Sequence, residues 1–263
     1  MKARIAGGEL AYEVRGSGPA LLLLHAFPLG MAMWDDQARE LSHAYQVVRF
    51  DCRGFGASPP GEGLLTMERI ANDGAALLDH LGIASATVCG VSMGGYAALA
   101  FVRRHSDRLR GLVLADTRAA ADTDQARRTR AEQADKVRRE GAAAIADAVL
   151  PKLVGKTTHE QRPQVVARLR DMILANPPRG IADALAGLAA RADSTPLLRE
   201  IRRPTLVVCG EEDAITPPAD AQALHEGIAG STLELLPKAG HLASVETPEA
   251  FNRVLEAFLR KVG

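Results

Sequence analysis

The sequence predicts an α/β fold: a mostly parallel, eight-stranded sheet with helices on both faces and one inserted helical block. Three observations carry this reading. Ala20 to Leu24 is an unbroken apolar run, as expected of a strand buried on both faces. From Gln46 to Ala115, and again from Thr205 to Lys261, short apolar runs alternate with stretches of helical spacing, the pattern of a parallel sheet wrapped by helices. Between about Ala119 and Arg199 no strand-like run occurs and only amphipathic helical stretches remain.

Taken in order, Lys2 to Ala6 and Glu9 to Arg15 form a hairpin around Gly7-Gly8. Ala20 to Leu24 is the third strand and runs into His25-Ala26-Phe27-Pro28. Met31 to Leu41 has helical spacing, with Trp34 expected in the core. Gln46 to Phe50 is a strand leading into the turn-rich Asp51 to Ser58, where Asp51 and Arg53 are expected to pair and pin the loop. Thr66 to Leu81 is a helix, Ala86 to Cys89 a strand, Gly94 to Val102 a helix of small residues, and Leu109 to Ala115 a strand. The inserted block holds four helical stretches: Thr123 to Arg139, Ala142 to Val154, Pro163 to Ala175 and Arg179 to Ala190. Its charged positions Arg127, Arg128, Arg130, Arg138 and Arg139 are expected on a solvated face. Thr205 to Cys209 is a strand, Pro217 to Ile228 a helix, Thr232 to Leu236 a strand and Thr247 to Lys261 the closing helix, with Thr247 as N-cap and Pro248 at its first position. Residues 1–118 and 199–263 are thus expected to form one core domain, and residues 119–198 a helical cap, or lid.

Composition narrows the function. The chain has 263 residues, and its 32 basic and 32 acidic side chains balance, so no nucleic-acid or membrane attraction is implied. Met1 to Ala11 has no apolar signal-peptide core and the run at Ala20 to Leu24 is too short to span a bilayer, so a cytoplasmic protein is expected. Cys52, Cys89 and Cys209 are an odd count without framework spacing and read as buried free thiols. No metal spacing, P-loop or dinucleotide fingerprint occurs, so no metal and no cofactor is expected.

The stretch that carries chemistry is Gly90-x-Ser92-x-Gly94, between a strand and a helix. This is the spacing of a nucleophile elbow, a turn so sharp that the residues two before and two after the serine need little side chain. The Met93 amide then sits at a helix N-terminus, where an anion is favoured. The Phe27 amide, in the loop after the third strand, is the candidate second oxyanion donor. A serine hydroxyl needs a base, and the base an orienting group. His241 follows the last strand and Asp213 the one before it, so both reach the sheet edge that holds Ser92. Asp116, Glu211 and Glu212 are weaker candidates for the acid, and His25 is expected to brace the oxyanion loop. From adjacency to these residues, Phe27, Leu29, Met93, Ile215 and Leu242 are expected to line the substrate pocket.

His25-Ala26-Phe27-Pro28, Asp51-x-Arg53-Gly54-x-Gly56-x-Ser58, the elbow with Gly95, Gly210-x-x-Asp213 and Gly240-His241 together resemble the α/β-hydrolase superfamily, from about Gly8 to Leu259. Phe27-Pro28-Leu29 with Met33-Trp34, Ser92 to Tyr96, and Asp116-Thr117-Arg118 look like the small bacterial carboxylesterases within it. The resemblance implies Ser92 as nucleophile, Asp213 as acid, His241 as base, a helical cap over an acyl pocket, and short-chain esters as substrates. Ala26 stands where many relatives have glycine, and its methyl group would narrow the oxyanion loop or alter its path. Enol-lactonases share the framework and a similar Pro28-to-Trp34 segment, so a lactonase acting on 3-oxoadipate enol-lactone or an acyl-homoserine lactone is the alternative. A sensor that keeps the triad but signals by partner binding is a remote third. The expected partner is a small-molecule ester or lactone, and the expected state a monomer or homodimer.

Overall fold

The structure, a computed structural model, describes residues 1–262. Eight strands form one sheet: β1 (Lys2–Ile5), β2 (Gly8–Arg15), β3 (Ala20–Leu24), β4 (Gln46–Phe50), β5 (Ala86–Val91), β6 (Leu109–Ala115), β7 (Thr205–Gly210) and β8 (Thr232–Leu236), in the order β1-β2-β4-β3-β5-β6-β7-β8. Only the pairs β1–β2 and β2–β4 are antiparallel. The apolar runs explain the order. β3, β5 and β7 are buried at every residue, which requires neighbours on both sides and helices on both faces. β1 and β8 are only partly covered, with one buried residue each, Ala3 and Leu236, and take the edges, where a polar face is tolerated.

The chain runs from β3 outward to β4, then crosses back to β5 on the other side of β3. The carboxyl ends of β3 and β5 therefore flank a topological switch point, where ligands bind in open α/β sheets. The core helices are α1 (Asp35–Leu41), α2 (Met67–His80) and α3 (Met93–His105). The Thr66 side chain caps α2 by accepting the Arg69 amide at 3.2 Å. Trp34 is fully buried against Phe251, as its core reading requires.

Between β6 and β7 lie five α-helices, where four helical stretches are expected: α4 (Asp124–Glu140), α5 (Ala142–Leu153), α6 (Lys156–Gln161), α7 (Pro163–Leu174) and α8 (Pro178–Ala189), followed by a 3-10 turn at Thr195–Glu200. α4 packs along α8, and α5 on α7. The additional helix, α6, has the sequence Lys-Thr-Thr-His-Glu-Gln, which carries no apolar period. Its order comes from a tertiary partner, Glu246, described below. The chain closes with α9 (Pro218–Gly227), α10 (Ala243–Glu246) and α11 (Pro248–Val262), whose Phe251, Leu255, Phe258 and Leu259 are buried. The Thr247 hydroxyl, expected to cap α11, donates to the Ala243 carbonyl at 3.1 Å and so serves α10. No helix among the described residues is long and apolar enough to cross a membrane.

Candidate active site

The elbow between β5 and α3 is built on close approach. A Cβ on Gly90 would lie 2.1 Å from the Gly94 carbonyl oxygen, and one on Gly94 2.1 Å from that of Leu24. Only glycine allows the strand and helix to close on Ser92 this tightly. Ser92 itself has φ 53° and ψ −112°, a conformation that costs a non-glycine residue about 1–3 kcal/mol. Its surroundings hold it there: its amide donates to Ala115 O at 3.0 Å, and its carbonyl accepts the Tyr96 amide at 3.1 Å and the Thr117 hydroxyl at 3.0 Å.

Three side chains from three loops meet at this point. Ser92 Oγ lies 2.7 Å from His241 Nε2, and His241 Nδ1 lies 2.9 Å from Asp213 Oδ2 and 3.0 Å from Oδ1. Asp213 Oδ1 also accepts the amides of Ile215 at 2.8 Å and Thr216 at 3.0 Å, and Oδ2 accepts the Thr216 hydroxyl at 2.8 Å. Burial works to raise the Asp213 pKa, but the hydrogen bond and charge of His241, with the Thr216 amide and hydroxyl, outweigh it and hold the carboxyl below its usual range. An ionised Asp213 fixes the imidazole proton on Nδ1 and leaves Nε2 as acceptor for the Ser92 hydroxyl.

The remaining candidates stand apart from this chain of bonds. Asp116 is fully buried, and its carboxylate accepts the Gly210 amide at 2.8 Å and the Ala243 amide at 3.0 Å, tying together the loops that carry Asp213 and His241. Burial, then the charge of Asp213, pushes its pKa well up. Glu212 holds the amide and hydroxyl of Thr157 in α6, and Glu211 is exposed. His25 Nε2 accepts the Cys52 amide at 3.0 Å, so Nδ1 carries the proton and donates to Ala26 O at 3.0 Å. Burial lowers its pKa, and the neutral ring braces the loop that precedes Phe27. The expected Asp51–Arg53 pair does not form. Arg53 binds Asp73 of α2 through two bonds of 2.7 Å, while Asp51 accepts the amides of Met31 at 2.7 Å and Ala57 at 2.9 Å. Both residues pin the loop, but through partners distant in sequence.

Among the described residues, neither the Phe27 amide nor the Met93 amide donates to a protein acceptor, so both are available to an anion. Asp116, Cys209 and Asp213 bring ligand-type atoms within 4.8 Å of one another. Every carboxylate oxygen of the cluster already accepts a hydrogen bond, and burial pushes the Cys209 thiol far above its ordinary range, so the cluster is a poor cation site.

Ser92 and His241 open on a cavity of about 220 Å³. Phe27, Tyr96 and Ile215 from the sheet side, and Ala148, Val149, Leu153 and Leu188 from α5 and α8, supply its apolar wall. Arg118, Arg130, Gln133 and Lys152 supply its polar part. Of the expected lining residues, Phe27 and Ile215 are on this wall. Leu29, Met93 and Leu242 are off it and fully buried, because neighbours of a site residue in sequence turn into the core as readily as into the cavity. Arg130, expected on the solvated face of α4, turns inward instead and pairs with buried Asp122.

One further buried carboxylate, which no local sequence pattern marks, supports the site. Glu246, 1% exposed, accepts the amides of Gly240 at 2.8 Å and Leu242 at 3.2 Å through Oε1, either side of His241. Its Oε2 accepts the Gly155 amide at 2.8 Å and the Thr158 hydroxyl at 2.6 Å, on α6 and the residue before it. One carboxylate thus fastens both the His241 loop and the helical block. The only signal for it is a charged residue in the otherwise small and apolar run after His241. Glu246→Gln places an NH₂ against donors and leaves at least one buried amide unpartnered, so we expect a loss of about 1–3 kcal/mol in urea unfolding together with a fall in kcat; unchanged stability would remove its clamping role.

A family model described as alpha/beta hydrolase fold matches residues 19–248. The chain is 35% identical to 3-oxoadipate enol-lactonase 2 of Acinetobacter baylyi over 243 residues, 92% of this chain and 89% of that protein. Among solved structures it is similar to a thermophilic esterase from Thermogutta terrifontis, solved with malate bound, at TM-score 0.97 and 42% identity over 100% of this chain and 99% of that one. It is also similar to the enol-lactonase from Burkholderia xenovorans, at TM-score 0.92 and 34% identity over 99% of this chain and 100% of that one.

Proposed function

The chain belongs to the alpha/beta hydrolase family, and on that premise we propose that it is a serine hydrolase of carboxylic esters, with Ser92 as nucleophile, His241 as general base and acid, and Asp213 as the group that orients and balances the imidazole. The observation that carries this reading is the unbroken hydrogen-bond chain from Asp213 through His241 to a Ser92 hydroxyl facing a cavity. Ser92 Oγ attacks the ester carbonyl carbon while its proton passes to His241 Nε2. The carbonyl oxygen becomes an anion and accepts hydrogen bonds from the Phe27 and Met93 amides, the interaction that usually lowers the barrier most. The bond to the leaving oxygen breaks as His241 returns the proton to it, leaving an acyl-Ser92. Water, deprotonated by His241, then attacks the acyl carbon, and the bond to Ser92 Oγ breaks as His241 returns the proton to Oγ, releasing the acid and restoring the serine. Residues 119–198 act as a cap: α4, α5 and α8 roof the reacting atoms and limit water, which strengthens every electrostatic interaction below.

A lactonase reading uses the same atoms, with the leaving oxygen tethered to the acyl group so that one ring-opened acid is released. The similarity to two enol-lactonases at 35% and 34% identity supports it. Initial rates on p-nitrophenyl esters of rising chain length, beside a panel of enol- and acyl-homoserine lactones, separate the two. Fast turnover of short esters with weak lactone activity is expected for the esterase. A kcat/KM on a lactone far above that on every ester would make ring opening the principal activity, and no turnover of either class would contradict the proposal.

A further inference from the structure

Among the described residues, the cavity wall carries three cations, Arg118, Arg130 and Lys152, and no carboxylate. A cavity for simple aliphatic esters needs no charge, and a partly buried cation such as Arg118 gives up hydration that only a close anion restores, while Lys152, exposed at the rim, is free to meet one. Arg130 has its own partner, since it pairs with Asp122 behind the wall; Asp122 is completely buried and is further bound by Arg191 at 2.8 Å. Arg118 is less well matched. Its ion pairs with Asp122 and Asp220 are both 3.8 Å long, and its Nε is buried without a hydrogen-bond partner. Burial pushes Asp220 above the usual carboxylate range against the pull of Arg118, which weakens it further as a counter-charge. Lys152, in the last turn of α5, is in the wall and forms no ion pair among the described residues.

We propose that the substrate carries a second, non-reacting carboxylate, which Arg118 and Lys152 bind while the ester or lactone carbonyl sits at Ser92. The substrate class is then half-esters, or ring-closed esters, of dicarboxylic acids. The proposal rests on the hydrolase reading of Ser92 and His241 for the carbonyl, but the anion site can be tested without it. Arg118 follows Asp116 and Thr117 directly, and Thr117 is bonded to Ser92 O, so the guanidinium is held by the same strand end that supports the nucleophile. Binding energy gathered at the remote carboxylate would orient the carbonyl for attack and so appear in kcat/KM.

The test compares monomethyl adipate with methyl adipamate, its neutral isostere, and repeats the pair with succinate to suberate half-esters. Wild type is expected to prefer the charged ester more than tenfold in kcat/KM, and the preference is expected to shrink as salt rises from low to 0.5 M. Lys152→Glu, on an exposed helix position, and Arg118→Gln are each expected to cut that preference by about tenfold or more. Calorimetry of adipate binding to Ser92→Ala protein, alone and combined with Lys152→Glu, reports the anion site independently of turnover. Equal kcat/KM on the charged and neutral esters with no adipate binding overturns the proposal while leaving the hydrolase reading in place. A preference, or adipate binding, that survives both substitutions overturns the assignment to these residues. Adipate binding that Lys152→Glu abolishes, in a protein that turns over no ester, sustains the anion site and removes the hydrolase reading.

Discussion

Ser92→Ala is expected to lower kcat for ester hydrolysis by about a millionfold, to the level left by the oxyanion donors and substrate binding alone. The size follows from the way the three side chains act as one unit. Without Oγ there is no atom to form the acyl intermediate, and His241 is left with only water to activate. Stability should barely change. Ser92 Oγ makes one hydrogen bond, to His241, and that nitrogen faces a cavity that admits water. The strained backbone at φ 53° is held by bonds to Ala115, Tyr96 and Thr117 that do not involve the side chain, and alanine bears the same strain as serine. The pure variant should therefore unfold within about 1 kcal/mol of wild type. Residual turnover at more than a thousandth of wild type, in protein free of contaminating hydrolase, would mean another nucleophile.

Asp213→Asn is expected to cost about four orders of magnitude in kcat, far more than Asp116→Asn. The hydrogen bonds dictate how the asparagine must sit. The Ile215 and Thr216 amides both donate to Oδ1, so the amide oxygen stays there and the NH₂ takes the place of Oδ2. That NH₂ then donates to His241 Nδ1, which moves the ring proton to Nε2 and removes the acceptor Ser92 needs. The negative charge that balances the imidazolium is lost as well. Asp116 makes no bond to His241. Its asparagine would set an NH₂ against the Gly210 or Ala243 amide, which lowers stability by about 1–3 kcal/mol and affects kcat through loop position only. A kcat loss larger in Asp116→Asn than in Asp213→Asn would reverse the assignment of the acid.

What was legible in the sequence was whatever local pattern determines. The five central strands are read from apolar runs that admit only one environment, and the elbow is read from glycines whose Cβ atoms would strike backbone. The helix α6 was illegible because its polar hexapeptide is ordered by Glu246, some ninety positions later. The partner of Arg53 is hidden for the same reason: Asp51 is near in sequence, but Asp73 presents a carboxylate edge that matches the guanidinium. Leu29, Met93 and Leu242 show the limit of adjacency. The cavity wall comes largely from α4, α5 and α8, whose helical periods indicate an apolar face but not the surface it covers. Arg130, grouped with solvent-facing arginines on α4, turns inward because Asp122 is buried beside it.

If Ser92 forms the acyl intermediate, it is the residue that diisopropyl fluorophosphate modifies, and peptide mapping by mass spectrometry after that reaction reads this out. We expect one phosphoryl adduct per chain, on Ser92, appearing in step with the loss of ester turnover and absent from Ser92→Ala protein. An adduct on another residue, or full turnover persisting once Ser92 is modified, would contradict it.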